Sequence, residues 1–282
     1  PLYNPDFSVI DASVFFDDDG RIYLYYSKDC STNVINGIKT SQSYGVELAS
    51  DLKSFIGNPV LLTTPDQTWE KKSGTGYRWN EGPCVFKHNG TYYIMFSANY
   101  YQTVHYSVGY ATSDSPLGKY TKYSKNPILQ GDGLTVSGTG HNNYFRSPDG
   151  KELYTVYHSL INPSGEYTGR QLCIDKLIIK EDGTLHVNGP SLTFQPLPSG
   201  TRKVSPLQGE SFEVKSSDSS LNNLSILNDG VVSKSVSDVI TFKTETTFEL
   251  SFKEPMALSY LLIYPNSLAD LVPASVSVLI ND

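Results

Sequence analysis

Three features of the amino-acid sequence predict an all-β fold of the β-propeller type. The apolar residues recur with a period of two, as on half-buried strands, and no convincing helix of three turns interrupts them. Three turn dipeptides, Asp19-Gly20, Asn89-Gly90 and Asp149-Gly150, each feed an aromatic strand; these residue types tolerate positive φ and mark hairpins. In every case a polar residue stands nine places ahead of the glycine: Asp11, Glu81 and His141. Equivalent positions of a radial repeat point at one axis, so these three side chains are expected to meet. A sandwich with similar hairpins offers no reason for so regular a lead residue.

Each repeat is then assembled in order. The second strands are expected at residues 21–26, 91–96 and 151–157, and the third at 45–50, 109–114 and 169–175. Edge strands follow near Phe55 and Tyr120. The turn glycines are 70 and 60 residues apart, a plausible size for four-stranded blades with generous loops. Three blades take the chain to about Gly189, and a propeller needs at least four. The expectation is therefore a propeller domain over residues 1–200 whose N-terminal blades precede Pro1 or come from a second polypeptide. Pro196, Pro198, Gly200 and Pro206 mark a linker. Residues 201–282, with expected strands at 239–242 and 257–264, read as part of an accessory β-sandwich, short for such a domain.

Composition narrows the partners. A net charge of −7 over 282 residues argues against nucleic acid, because phosphate binding needs clustered Lys and Arg. No apolar run approaches the roughly 20 residues of a bilayer span. The 20 tyrosines suit strands, and some could offer rings to a sugar. Cys30, Cys84 and Cys173 are an odd set, so at least one is free or pairs outside the chain; Cys84 and Cys173 lie in apolar strands and read as buried thiols. Asp17, Asp18 and Asp19 sit at a hairpin tip and read as solvated turn residues.

Two carboxylates and an imidazole in an aromatic-rich cavity suit acid–base work on an uncharged, hydroxyl-rich substrate. A Glu beside a second carboxylate resists ionising and stays available as a general acid. Glycosidic cleavage needs such a donor, with another carboxylate to activate water or attack. Residues 10–20 (IDASVFFDDDG) with Tyr23-Leu24, Glu81-Gly82-Pro83 with residues 89–93 (NGTYY), residues 138–142 (GTGHN), and Arg170 ahead of Ile174-Asp175 together resemble glycoside hydrolase family 43. The resemblance covers about residues 8–190. It implies a five-bladed propeller and inverting hydrolysis of α-L-arabinofuranosyl or β-D-xylosyl linkages in plant polysaccharides, in a secreted or periplasmic protein. Carried over, Glu81 is the general acid, and Asp11 raises its pKa and orients it. His141 is a metal-site residue that implies calcium at the axis, and Arg170 reaches sugar hydroxyls. Tyr77 and Trp79 form a candidate stacking platform, and Asn142 a candidate ligand contact. The resemblance assigns the general base to a first blade that has no counterpart here, so a non-catalytic carbohydrate-binding propeller is the alternative.

Overall fold

The computed structural model describes residues 5–133, 135–201, 207, 209–232, 238–255, 258, 261, 263 and 277–279. The chain divides into two compact units, Pro1–Arg146 with Glu152–Thr193, and Ser147–Lys151 with Phe194–Asp282. Among the described residues no helix is long and apolar enough to cross a membrane.

The first unit contains three antiparallel meanders in chain order. Blade one runs Val9–Phe16, Ile22–Lys28, Gln42–Leu48 and Phe55–Thr63. Blade two runs Glu81–His88, Thr91–Ala98, Ser107–Ser113 and Thr121–Lys122, with Leu129–Gln130 also pairing Ser107–Ser113. Blade three runs Gly140–Arg146, Leu153–Leu160, Arg170–Ile179 and Leu185–Val187. A short ribbon, Val34–Ile35 with Ile38–Thr40, interrupts blade one and pairs in parallel with Tyr77–Arg78. Asn89 (φ 47°) and Gly90 (φ 80°) close a two-residue turn between His88 and Thr91, which requires left-handed backbone at both places.

Strand alternation sends successive side chains of blade two to opposite neighbours. Tyr92, Ile94 and Phe96 join Phe15, Tyr23, Tyr25 and Leu62 in one core between blades one and two. Tyr93 and Met95 join Cys84, Phe86, Leu153, Tyr157 and Leu177 in another, between blades two and three. Most of the named tyrosines are thus core strand residues. Cys30, Cys84 and Cys173 are buried free thiols. The acidic hairpin tip is not uniformly solvated, contrary to the sequence reading. Asp17 is 6% exposed and receives hydrogen bonds from Lys87 Nζ (2.8 Å) and the Tyr92 hydroxyl, pinning blade one to blade two. Two charged or polar donors offset the loss of water around its carboxylate.

In the second unit Phe212–Ser216 pairs antiparallel with Phe248–Phe252. The strand expected at residues 239–242 is irregular; Phe248–Phe252 takes the ladder instead, and Phe242 packs edge-on against Phe248 at 5.5 Å. The strand expected at 257–264 falls largely outside the described residues.

A buried charge network shapes the segment that leads into Glu81. Glu70 is 1% exposed, and its Oε2 accepts the backbone N–H groups of Asp66 (2.7 Å) and Gln67 (2.6 Å). Its Oε1 accepts from the Asn80 amide (3.0 Å) and from the Lys122 ammonium. Four donors satisfy one carboxylate. Removing it leaves the Asp66 and Gln67 N–H groups without this acceptor, while Lys122 keeps Asp66 Oδ1 and the Thr64 carbonyl and Asn80 keeps the Trp79 carbonyl, so Glu70→Ala should cost about 1–3 kcal/mol in urea unfolding. A loss below about 1 kcal/mol, the range of exposed pairs, would contradict this account.

Candidate active site

A β-bulge opens each blade's first strand. The ladder register slips between Ile10 and Ser13, between Glu81 and Cys84, and between Gly140 and Asn143. The bulged residues Asp11 (φ 58°), Gly82 (φ 58°) and His141 (φ 49°) all adopt left-handed backbone. A bulge re-aims the side chains around it, and here it turns them inward. The equivalent residues are therefore Asp11, Gly82 and His141, and Glu81 stands one place earlier, opposite Ser97. The nine-residue spacing counted this address one residue off in blade two. The cause is hairpin length: blade two turns in two residues, whereas Phe16↔Ile22 and Arg146↔Leu153 flank longer loops.

The offset is useful. Gly82 has no side chain, so the His141 ring lies directly over it; a Cβ there would sit 3.5 Å from Nδ1. The Gly82 N–H donates to Asp11 Oδ2 (3.1 Å) and to Ser27 Oγ (3.2 Å). His141 Nδ1 lies 4.0 Å from Asp11 Oδ1, and the His141 N–H donates to Ser97 Oγ (2.8 Å). Asp11, Ser13, Gly82, Cys84, His141 and Asn142 line a cavity of about 100 Å³.

Glu81 lies beside this axis in a drier setting. Its Oε1 accepts a hydrogen bond from Ser41 Oγ at 2.7 Å, and Ser41 itself is fully buried. Asp29, Cys30 and Glu81 place one carboxylate or thiol atom each within 4.8 Å of one another. Burial pushes the Glu81 carboxyl up to about 8, with Asp11 and Asp29 adding to the rise and the Ser41 hydrogen bond opposing it. Loss of water is a larger cause than the second carboxylate expected from the sequence. Asp11 is also raised, by burial first, while His141 and the Gly82 N–H hold it down.

The remaining sequence-predicted residues divide. Tyr77 and Trp79 stack in parallel, 5.6 Å apart at 8°. Arg170 approaches His158, with Nη1 3.5 Å from Nε2. Burial, then the charges of Arg170 and His141, hold His158 down at about 4, which keeps it neutral. Asn142 is 3% exposed and its amide faces Cys84 Sγ and Met95 Sδ, both at 3.4 Å; its Oδ1 has no partner. It belongs to the axial cavity, not to the Glu81 side.

Residues 2–185 match the model of glycosyl hydrolases family 43. The chain belongs to that family. A crystal structure of a thermostable family-43 glycoside hydrolase is 48% identical, with a TM-score of 0.66 over 70% of this chain and 63% of that one. A β-D-galactofuranosidase from Aspergillus niger is 37% identical over 176 residues, covering 62% of this chain and 44% of the relative. An arabinoxylan arabinofuranohydrolase from Paenibacillus polymyxa is 29% identical over 194 residues, covering 63% and 27%. The chain thus spans less than half the length of these two curated relatives. The family is one of β-propellers, and the three meanders are blades of that fold.

Sequence reasoning missed Ser41, Asp29 and Cys30, the groups that surround the Glu81 carboxyl. Nothing in the run Asp29-Cys30-Ser31 or Thr40-Ser41-Gln42 marks them, because they reach Glu81 only through the neighbouring blade. It also missed His158, which stacks on Tyr106 at 5.4 Å. Tyr106 in turn fills the space beside Gly140, where a Cβ would come within 2.1 Å of its ring.

The raised Glu81 carboxyl makes a stability prediction. The folded form keeps its proton to about pH 8, while the unfolded chain releases it near the ordinary value of 4.5. Glu81 therefore favours folding below pH 4.5, and that contribution disappears as pH rises toward 8. In Glu81→Gln the drop in Tm between pH 5 and pH 8 should shrink by at least about 2–4 °C. Identical drops in the two proteins would refute a buried, protonated Glu81.

Proposed function

We propose that this family-43 chain carries the proton-donating half of an inverting glycosidase acting on α-L-arabinofuranosyl or β-D-xylosyl linkages of plant polysaccharides. The observation that carries the reading is the largely buried Glu81, pushed up to about 8 beside Asp11 and held by Ser41. At neutral pH such a carboxyl keeps a proton to give to a departing glycosidic oxygen. Asp11 holds the Gly82 N–H, which fixes the backbone next to Glu81. Asp29 is a poor partner for inversion. Its carboxylate lies within 4.8 Å of Glu81, whereas a water between two carboxyl groups needs about 6.5–9.5 Å. The base is then a carboxylate farther from Glu81 than Asp29. The Aspergillus and Paenibacillus relatives are named for galactofuranosyl and arabinofuranosyl cleavage, which supports a furanosyl substrate. A polymeric plant glycan as substrate supports a protein that acts outside the cytoplasm, secreted or periplasmic.

Calcium at the propeller axis is part of the same proposal. The lining residues fit a hydrated calcium: the cavity has room for an ion and water, and the buried Asn142 Oδ1 lacks a partner. His141, Asn142 Oδ1 and waters would hold it, with Asp11 alongside. When bound, it would supply positive charge that favours ionised Asp11.

In the full-length gene product, Glu81→Gln should lower kcat/KM on an unactivated arabino- or xylo-oligosaccharide about 10²–10⁴-fold. The loss should be smaller on aryl glycosides, whose leaving groups need little protonation. Activity should fall above about pH 8, where Glu81 loses its proton, and Asp11→Asn should move that alkaline limb to lower pH by removing a repelling charge. Undiminished oligosaccharide turnover in Glu81→Gln, or a limb that moves upward in Asp11→Asn, would overturn the assignment.

A further inference from the structure

A continuous run of aromatic rings passes through Trp79. Tyr77 stacks on Trp79, and Trp79 lies 5.7 Å from Tyr100. Tyr100 then meets Tyr101 at 5.0 Å, and Tyr101 meets Tyr167 edge-on at 6.1 Å. The Arg170 guanidinium sits 5.2 Å from the Tyr101 ring centre. Trp79, two residues before Glu81, is nearly buried at 9%, but Tyr77, Tyr100 and Tyr167 are 43%, 37% and 40% exposed. The ring nearest Glu81 in sequence thus lies within the run, with exposed rings on both sides of it.

Packing alone does not explain it. The rings come from three separate segments, and a core role would cover them. Hydrogen bonds fix the segment that carries Tyr100: the Tyr100 N–H donates to Ser73 Oγ (2.8 Å), and the Lys72 N–H donates to Asn99 Oδ1 (2.8 Å). Asn99 also donates through its amide to the carbonyls of Trp69 (2.8 Å) and His105 (3.0 Å). Polar atoms run along the same surface. The Tyr100 hydroxyl donates to Gln102 Oε1 (3.0 Å), and the Gln102 amide donates to the Tyr101 hydroxyl (3.1 Å). Rigid ring faces edged with neutral hydrogen-bonding groups match a sugar, which has an apolar C–H face and a rim of hydroxyls.

We propose that Tyr77, Trp79, Tyr100, Tyr101 and Tyr167 form a binding wall for the glycan chain on the leaving-group side of the scissile bond. The preferred ligand is then an oligosaccharide or polymer, and a monosaccharide covers only part of the wall. The direction of the chain rests on the hydrolase reading, which sets the scissile bond at Glu81; the wall itself does not. The test is calorimetry of the full-length Glu81→Gln protein, which spares the ligand, with xylotriose and arabinotriose against xylose and arabinose. One trisaccharide should bind at least about tenfold more tightly than its monosaccharide. Tyr100→Ala and Tyr167→Ala should each reduce that ratio about threefold or more, and Tyr100→Phe, which keeps the ring, should preserve it. The two positions lie on different loops, so a folding defect in one leaves the other informative. Equal affinity for trisaccharide and monosaccharide, or a ratio that survives both alanine variants, overturns the wall. Failure of the hydrolase reading shows elsewhere, as turnover that persists without the Glu81 proton.

Discussion

The left-handed bulge at the start of each blade is the constraint on which the site depends. A regular strand would send Asp11 and its successors alternately to the two faces of its sheet. The bulge breaks that alternation at Asp11, Gly82 and His141, so that each blade aims one position at the common axis. Blade two offers a glycine there, and its bare N–H becomes the hydrogen-bond donor that holds Asp11. The neighbouring Glu81 is left to turn into the first blade, toward Ser41. Two chemical environments, an axial cavity and a largely buried carboxyl, arise from one backbone device.

Dryness sets the chemistry of Glu81 more than neighbouring charge does. A carboxyl removed from water strongly favours its neutral form, and Asp11 and Asp29 push in the same direction. Ser41 opposes them by favouring the ionised form, so the group is poised and not simply locked. The loop ahead of it is held by Glu70, whose bond to Asn80 lies one residue from the acid. Packing, capping and the proposed proton donor thus share one short stretch of chain, and loop stability and acid position should vary together.

The hairpins and their aromatic strands were legible because turn chemistry is local: Gly20, Gly90 and Gly150 all take positive φ. The family was legible because the motifs around Asp11, Glu81 and His141 lie in order along the chain. The one-residue offset of Glu81 was not, since register depends on how many residues each turn consumes. Asp17 was misread for a different reason. An acidic run looks solvated until its partner is known, and Lys87 is 70 residues away. Ser41, Asp29 and Cys30 stayed hidden because ordinary loop residues acquire a role only when the next blade arrives. In the second unit, the choice between residues 239–242 and Phe248–Phe252 as a strand was decided by ladder pairing with Phe212–Ser216, which local composition does not encode.

The central claim, a proton retained on Glu81 by burial, is open to direct observation by following its ¹³C-labelled side-chain carboxyl by NMR from pH 3 to pH 10. The account predicts a midpoint near 8, far above the ordinary 4.5 of a glutamate. A midpoint at or below 4.5 would mean that Glu81 is ionised at neutral pH, and the proton donor would have to be sought elsewhere in the molecule.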